Sequence, residues 1–461
     1  MKKKTQETTG AVILSILTLA WPTMMEQALQ TIVQYIDAAM VGRIGADATA
    51  TIGITNIVSW LVNSPILAAG VGFMAYISQS MGAGKNENAR RAAQQSVFMV
   101  IFLGVAEGVI TQGIRGVLPK WMGLEERLWK EASIYFSIVC APMLFKASMS
   151  VFGAVLRSVK DTRTPMLVNV LMNLVNIVLN FLLIYEPGSL KIQGKEIRIW
   201  GAGLGVTGAG IATAIAYTLG GILMFVALFR HKEISPKGLK LKLDTEILKP
   251  CIRIGLPVGL SHSASCLGQV VFTSIVASLG TVSFAAHSIA ITAESMFYIP
   301  GYGMQAVAST LSGHAVGARD EAGLQKVTRV LVVMVFIMMS VTGGLLFVFA
   351  GSLMGFFTPN QEAVDLGTRV LRICALSEPV FGIYVILEGI FDGVGDTVRP
   401  FLYYVGSENL LQLSGSSLLR LPSYPGVVLY DCQQCVFEYL IFHTVFPGKM
   451  ESSETKMLTA C

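Results

Sequence analysis

Long apolar stretches separated by short polar loops run through most of the chain. Because a helix needs about 20 mainly apolar residues to cross the hydrocarbon core of a bilayer, this pattern predicts ten membrane-spanning helices. The predicted spans lie near residues 12–40, 50–80, 92–113, 132–156, 166–185, 205–229, 252–279, 283–315, 328–350 and 366–393. Several exceed the length that a bilayer requires, so they must tilt or bend, and Pro22 and Pro257 are candidate bends.

The composition supports a membrane protein and excludes other classes. Hydrophobic residues make up 53% of the chain, charged residues only 14%, and the mean hydropathy is +0.62. Soluble domains carry about 25% charged residues, and a water-soluble fold has no place for so much apolar surface. The same values exclude disordered, collagen-like and disulfide-scaffold proteins. We therefore predict an all-α polytopic membrane protein.

The positions of Lys and Arg predict the orientation of the chain. They concentrate at the N-terminus and in alternate loops, at 2–4, 85–91, 157–163, 230–249 and 319–329. Positive residues favour the cytoplasmic side of a membrane. We expect a multi-pass protein of the plasma (inner) membrane with a cytoplasmic N-terminus, although the loops near 115–130 and 186–200 also carry positive residues and dilute this bias.

An internal repeat relates the two halves of the chain with an offset of 235 residues. The equivalent motifs are Pro22 and Pro257, Gly82-Ala83 and Gly317-Ala318, and V-x-D-T-x-x-P at 159–165 and 394–400. Six spans separate equivalent points, so both halves begin on the same side of the membrane. This is a parallel repeat about an axis along the membrane normal, and it predicts two homologous six-helix bundles.

The repeat breaks near residue 405, which makes the second bundle incomplete. Residues 401–461 should mirror 166–226 with two further spans, but no sufficiently long apolar run occurs there. We hypothesise an out-of-frame tail; the alternative is a genuine divergent tail with one imperfect span near 426–446. The predicted domains are an N-terminal bundle at 1–230, a cytoplasmic linker at 231–250, a partial C-terminal bundle at 251–404 and the tail at 405–461.

The cysteines predict no disulfide framework and no metal centre. Four of the seven lie in or beside apolar stretches, where Cys behaves as a small hydrophobic residue. In the tail, Cys432 and Cys435 form a C-x-x-C pair with His443 downstream. Two thiols and one imidazole without a second paired set are a weak zinc signal, so we expect no bound metal.

Four motifs carry a resemblance to a known family. They are D-x-x-M-V-G-R-I-G at 37–45, L-R-S-V-K-D-T-R-T-P at 156–165, F-A-A-H at 284–287 and E-S-M-x-x-x-P-G-x-G at 294–303. Together they resemble the multidrug and toxic compound extrusion (MATE) family over residues 12–402. The resemblance implies two six-helix bundles around a central cavity, and alternating access driven by Na⁺ or H⁺. It also implies an acidic coupling residue at Asp37.

Ionisable side chains inside a bilayer cost about 2.5–3.5 kcal/mol each on insertion scales, so they are the first candidates for function. The predicted spans contain Glu26, Asp37, Lys146, His287, Glu294, Glu378 and Glu388. Asp37 is the principal candidate, because a carboxylate in a cavity of low dielectric constant must bind either a proton or a cation. The alternative is an aspartate near the outer end of the helix that is merely solvated or is paired with Arg43.

Further candidates surround Asp37 or occupy the second bundle. Asn169, Asn173, Asn176 and Asn180 follow one face of a helix, where they either supply neutral ligands to a cation or form an interhelical hydrogen-bond seam. Some MATE proteins have an aspartate where Asn180 stands. Glu26 lies eleven residues before Asp37 on the same face and extends the acidic path. Glu294 and Glu388 are the candidates in the C-terminal bundle, or else polar anchors.

These residues predict a secondary antiporter that exports amphipathic, cationic organic compounds in exchange for Na⁺ or H⁺. No nucleophile–base pair, zinc motif or phosphate-binding loop occurs, so we expect no enzyme activity, no cofactor, no ATP and no nucleic acid. The expected partners are the substrate and the lipid bilayer, and we expect a monomer. Two alternatives stay open: a lipid-linked precursor flippase of the same superfamily, and a non-functional truncated or frameshifted transporter.

Overall fold

The computed structural model describes residues 9–42, 44–192, 195–199, 201–239, 242–278, 281–358 and 360–402. The predicted tail at 405–461, its candidate span and its C-x-x-C pair lie outside these residues. The described α-helices are α1 Thr9–Gly42, α2 Ala46–Val62, α3 Ser64–Gly82, α4 Asn86–Ile114, α5 Leu118–Trp121, α6 Trp129–Cys140, α7 Met143–Ser158, α8 Arg163–Ile184, α9 Gly205–Arg230, α10 Thr245–Ser278, α11 Thr281–Gly317, α12 Glu321–Phe357 and α13 Gln361–Val394.

The helices confirm the all-α membrane fold. Every predicted span falls on one helix or on a pair of consecutive helices. Within the described part of the chain, seven helical segments are long and apolar enough to cross a membrane, or eight if α6 and α7 count as one span bent by 45°. α10 and α11 are long enough to cross a membrane but less apolar than the others, because serine, histidine and glycine residues lower their hydropathy.

Proline marks the two breaks between paired helices. α2 ends at Val62 and α3 has Pro65 in its first turn, while Pro142 precedes α7. Proline lacks a backbone N–H, which the first turn of a helix does not need. The two prolines that we predicted as bends, Pro22 and Pro257, lie inside the continuous helices α1 and α10.

The surface of the helices matches a lipid environment. Phe102 and Val109 on α4 are each 68% exposed, and Leu14 on α1 is 66% exposed. Large apolar side chains so exposed are stable only against an apolar surrounding. The interior of the first half is formed by fully covered aromatic residues such as Phe73 and Phe136.

The backbone confirms the repeat of 235 residues. Positive φ angles occur at Gly84 (72°) and at its equivalent Arg319 (51°), and again at Lys160 (66°) and its equivalent Gly395 (86°). The hydrogen bonds that close these turns are also equivalent: Lys85 N to Ser80 O and Asp320 N to Ala315 O, then Asp161 N to Leu156 O and Asp396 N to Phe391 O. Both halves therefore end the same helices with the same turn.

The described residues form two compact units, one of residues 21–259 and one of residues 9–20 and 260–402. This division differs from the boundaries that the repeat predicts at 230 and 250, because the linker packs on the first unit. Arg90 on α4 donates to the backbone oxygens of Ser235 (3.1 Å) and Lys237 (2.9 Å). Gln95, also on α4, binds the linker backbone at Lys242 and Asp244.

A β-hairpin occupies the loop that the sequence left without structure. β1 (Gly188–Ile192) pairs antiparallel with β2 (Lys195–Ile199), in a register that places Gly188 opposite Ile199 and Ile192 opposite Lys195. The alternation of apolar and polar residues along β2 is typical of a strand.

Candidate functional site

The first and eighth helices are joined by two carboxylate–amide pairs. Asn169 Nδ2 donates to Glu26 Oε1 at 2.6 Å, and Asn180 Nδ2 donates to Asp37 Oδ1 at 2.7 Å. In each pair the partners are 143 residues apart in sequence. α1 and α8 therefore run parallel and in register over three turns, with the acidic face of one against the amide face of the other.

Asp37 is half-buried and surrounded by amide groups. Asn176 stands 3.2 Å from both carboxylate oxygens when its amide nitrogen is turned toward them. With the amide oxygen turned inward instead, Asn176 accepts from Asn180 at 3.1 Å and its nitrogen donates to Thr213 Oγ1 at 3.4 Å. The first orientation gives both carboxylate oxygens of Asp37 a donor, so the hydrogen-bond network favours it, and Asn176 and Asn180 then surround Asp37 with neutral amide N–H groups.

Asn173, Asn176 and Asn180 are buried, whereas Asn169 is half-buried. Asn180 is 1% exposed, and its Oδ1 has no hydrogen-bond partner within the described residues. The same holds for Asn173 Nδ2. The stripe thus forms interhelical hydrogen bonds at Asn169 and Asn180. Two of its buried polar atoms, Asn173 Nδ2 and Asn180 Oδ1, have no hydrogen-bond partner among the described residues.

Glu26 has a different environment from Asp37. Arg157 Nη1 lies 3.3 Å from Glu26 Oε1 and 3.4 Å from Oε2, and both side chains are largely covered. Among the described residues, no cationic group lies within 4.0 Å of Asp37. Arg43, the partner that the alternative requires, lies outside the described residues. The charge of Glu26 is therefore compensated within the protein, whereas Asp37 receives only neutral donors.

The second unit holds a further acidic site. Gln305 Nε2 on α11 donates to Glu388 Oε2 on α13 at 2.8 Å, and the Tyr384 hydroxyl also bonds to Glu388. Glu294 is half-buried and lies three turns before Gln305, on the same face of α11. Close packing holds the helices together, since a Cβ on Gly389 would come within 2.6 Å of the Gln305 backbone oxygen.

Sequence reasoning missed two carboxyl groups. Asp392 is 6% exposed and lies one turn after Glu388 on the same helix. Its spacing of four residues from Glu388 was the signal in the sequence that indicated two neighbouring carboxyl groups. Glu107 is likewise 6% exposed and falls inside the predicted span 92–113. Lys146, which the sequence did single out, places Nζ 5.0 Å from the centre of the Tyr217 ring.

Comparison with known proteins identifies relatives over both halves of the chain. The MatE family model matches residues 22–182 and 257–416, two segments whose starts are 235 residues apart. "Probable multidrug resistance protein NorM" of Thermotoga maritima is 29% identical over 391 residues, covering 84% of this chain and 81% of the relative. "Multidrug resistance protein MdtK" of Photorhabdus laumondii is 24% identical over 423 residues, covering 89% and 88%.

Solved structures share the fold. A transporter of the MOP superfamily from Pyrococcus furiosus, described as having a binding pocket of reverse polarity that suggests a different function, is 22% identical. It superimposes with a TM-score of 0.85 over 93% of this chain and 94% of its own. An outward-facing multidrug resistance MATE transporter is also 22% identical, with a TM-score of 0.82 over 93% and 92%.

Proposed function

This chain belongs to the MatE family of multi-span membrane transporters, and from that membership we propose that it is a cation-coupled secondary antiporter. Its substrates would be amphipathic, cationic organic compounds, exported in exchange for Na⁺ or H⁺. The names of the relatives, which describe multidrug resistance proteins, support this substrate class. The exchange needs neither ATP nor a bound cofactor.

The observation that carries this proposal is the carboxylate of Asp37, which receives only neutral amide donors from Asn176 and Asn180 and has no fixed cation within the described residues. Glu26, on the same helix face, already has its cation in Arg157. A carboxylate that lies within a membrane span and lacks a fixed counter-charge is stabilised by an exchangeable one. A proton on Asp37 or Na⁺ bound to it would supply that charge, and Glu388 with Gln305 offers a corresponding site in the second unit.

Competition for Asp37 would produce the exchange. A cationic substrate and the coupling ion both lower the electrostatic cost of the carboxylate, so occupancy by one weakens the binding of the other by the same free energy. An inward ion gradient then loads Asp37 with the ion and releases the substrate outside. We propose that the protein acts as a monomer in the plasma membrane with its N-terminus in the cytoplasm, as its Lys and Arg distribution favours.

We expect Asp37→Asn to abolish gradient-driven efflux of a cationic dye from proteoliposomes while the protein stays folded. The amide keeps the shape of the side chain and one acceptor oxygen for the Asn180 amide, but it carries no charge to exchange. A sodium gradient at constant pH and a pH gradient without sodium, applied separately, identify the coupling ion. Unchanged efflux in both conditions would refute the assignment of Asp37.

Asp47→Asn is the matched control. Asp47 lies outside the spans and pairs with Arg127 at 2.5 Å, and this guanidinium holds the pKa of the Asp47 carboxyl below its usual value. Asp47 therefore stays ionised throughout the assay and exchanges no proton, so its substitution should leave efflux unchanged. Transport of an anionic lipid-linked precursor in place of the dye would instead favour the flippase alternative.

A further inference from the structure

A buried carboxyl group lies in the first unit outside the site around Asp37. Both side-chain oxygens of Glu107, on α4, are covered and make no hydrogen bond to any described residue. Thr111, one turn further on, donates to the backbone oxygen of Glu107 at 2.7 Å and so does not serve the carboxyl group. An ionised carboxylate in this position would be without both water and donors.

The helices packed against α4 supply one cation near Glu107. α7 contributes Lys146, and α6 contributes the neutral Cys140. The one titratable side chain of α3, Tyr76, lies near Arg91 and Asp244 at the opposite end of α4. The charge facing Glu107 within the described residues is thus that of Lys146.

Lys146 does not form an ion pair with Glu107 in this conformation. No ion pair within 4.0 Å involves either residue among those that the structure describes, and the Lys146 ammonium rests on the face of the Tyr217 ring at 5.0 Å. Such a cation–π contact partly replaces the water that a buried ammonium loses. The acidic Glu107 and the basic Lys146 are therefore close enough to interact electrostatically but do not form an ion pair.

We infer that Glu107 is a proton-binding site of the first unit, with Lys146 as its counter-ion in the deprotonated state. An isolated buried carboxylate is so costly that the group takes up a proton instead, so Glu107 is a neutral carboxylic acid here. Release breaks its O–H bond and sends the proton to water. The Lys146 ammonium then turns from the Tyr217 ring to the new carboxylate, and nothing is oxidised or reduced.

Tyr217 connects this pair to the proposed coupling site. The side chain whose ring supports Lys146 also interacts electrostatically, through its hydroxyl group, with Asp37. Movement of the ammonium away from Tyr217 changes the charge distribution around Asp37, so proton release at Glu107 and ion binding at Asp37 are coupled. The use of this coupling for transport rests on the proposed function, whereas the presence of the proton on Glu107 does not.

Infrared difference spectroscopy of the full-length protein in lipid tests the proton directly. A protonated carboxyl group has a C=O stretching band that a carboxylate lacks. We expect Glu107→Gln to lose one such band relative to the unmodified protein at neutral pH. Asp37→Asn should retain that band, and Glu126→Gln, which changes an exposed side chain in a loop, should leave the band of the protonated Glu107 carboxyl group unaltered.

Lys146→Met provides a second test in which Glu107 itself is intact. Without the ammonium, the deprotonated state loses its counter-ion, so the Glu107 band should persist to higher pH than in the unmodified protein. An unchanged titration in Lys146→Met would overturn the role of Lys146. Absence of the band from the unmodified protein, or its removal by sodium at constant pH, would overturn proton binding at Glu107.

The antiporter proposal and the Glu107 proposal can be refuted independently of each other. If Asp37→Asn keeps full efflux while the Glu107 band is present, the proposed coupling residue is wrong and the proton site stands. If Asp37→Asn loses efflux and Glu107→Gln removes no band, the antiporter proposal stands and the proton site is wrong.

Discussion

Glu26 and Asp37 lie on one face of α1, three turns apart, yet their surroundings give them different chemistry. Glu26 meets the guanidinium of Arg157 and the amide of Asn169. Asp37 meets only amides within the described residues. A charge with a fixed partner stabilises the fold, whereas a charge without one is available to an exchangeable ion. Two similar side chains on the same stripe therefore differ in their surroundings: Glu26 has a fixed counter-ion, and Asp37 stays the residue that we propose to bind an exchangeable one.

We expect Glu26→Gln to lower the free energy of unfolding by about 1–3 kcal/mol, because it leaves the largely covered Arg157 without its carboxylate. Thermal unfolding in detergent, followed by tryptophan fluorescence, measures the loss. The double variant Glu26→Gln with Arg157→Gln should recover part of it, since no uncompensated charge is then left. Equal stability of the single variant and the unmodified protein would show that the ion pair contributes nothing.

At the scale of helices, glycine determines how closely neighbours approach. On α12, a Cβ added at Gly343 would come within 2.6 Å of the Ala375 backbone oxygen on α13, whereas the adjacent Gly344 has no atom within 4 Å. Small residues at helix interfaces are the usual means of close packing inside membranes. Successive glycines in one helix thus face entirely different surroundings, and only one of them makes the contact.

Gly343→Ala should destabilise the protein by about 1–3 kcal/mol, because α12 and α13 must separate to admit the methyl group. Gly344→Ala is its matched control, one position along the same helix. There the methyl group meets open space, and alanine favours the helix by about 0.5–1 kcal/mol. Comparison of the two unfolding temperatures checks both. A Gly343→Ala protein as stable as Gly344→Ala would contradict the close approach.

At the scale of the whole molecule, the repeat shows where each half departs from the other. The same turn contains Lys160 in the first half and Gly395 in the second, and both have positive φ. Likewise, Gly84 in the first half corresponds to Arg319 in the second. A left-handed conformation costs a residue other than glycine about 1–2 kcal/mol, so each half carries one strained turn that its counterpart avoids.

Lys160→Gly should therefore stabilise the protein by about 0.5–1 kcal/mol, because relief of the strained φ exceeds the added flexibility of glycine in the unfolded chain. Gly395→Lys should have the opposite effect. Lys85→Gly is the control, since Lys85 follows Gly84 but has an unstrained φ of −92°. Glycine at this position relieves no strain and only makes the unfolded chain more flexible, so it should lower the stability. If Lys160→Gly and Lys85→Gly shift the unfolding temperature equally, strain at Lys160 is excluded.

The sequence alone determined the fold class, the ten helical regions, the repeat and its offset. These features depend on hydrophobic content along a segment and on motifs that recur along the chain, which need no knowledge of neighbours. It also indicated Asp37 and the asparagine stripe as candidates, because helical spacing shows which residues share a face. It did not indicate the hairpin at 188–199 or the attachment of the linker to α4, since both depend on pairing between separate segments.

Only the tertiary structure decided which side chains meet. Asn180 and Asp37 are 143 residues apart, and Arg157 and Glu26 are 131 residues apart. Such pairings follow from the register and rotation of whole helices, which result from the summed packing of many side chains rather than from any local pattern. Periodicity therefore places a charge on a face, while the compensation of that charge, and with it the chemical role, comes from the helix packed against that face.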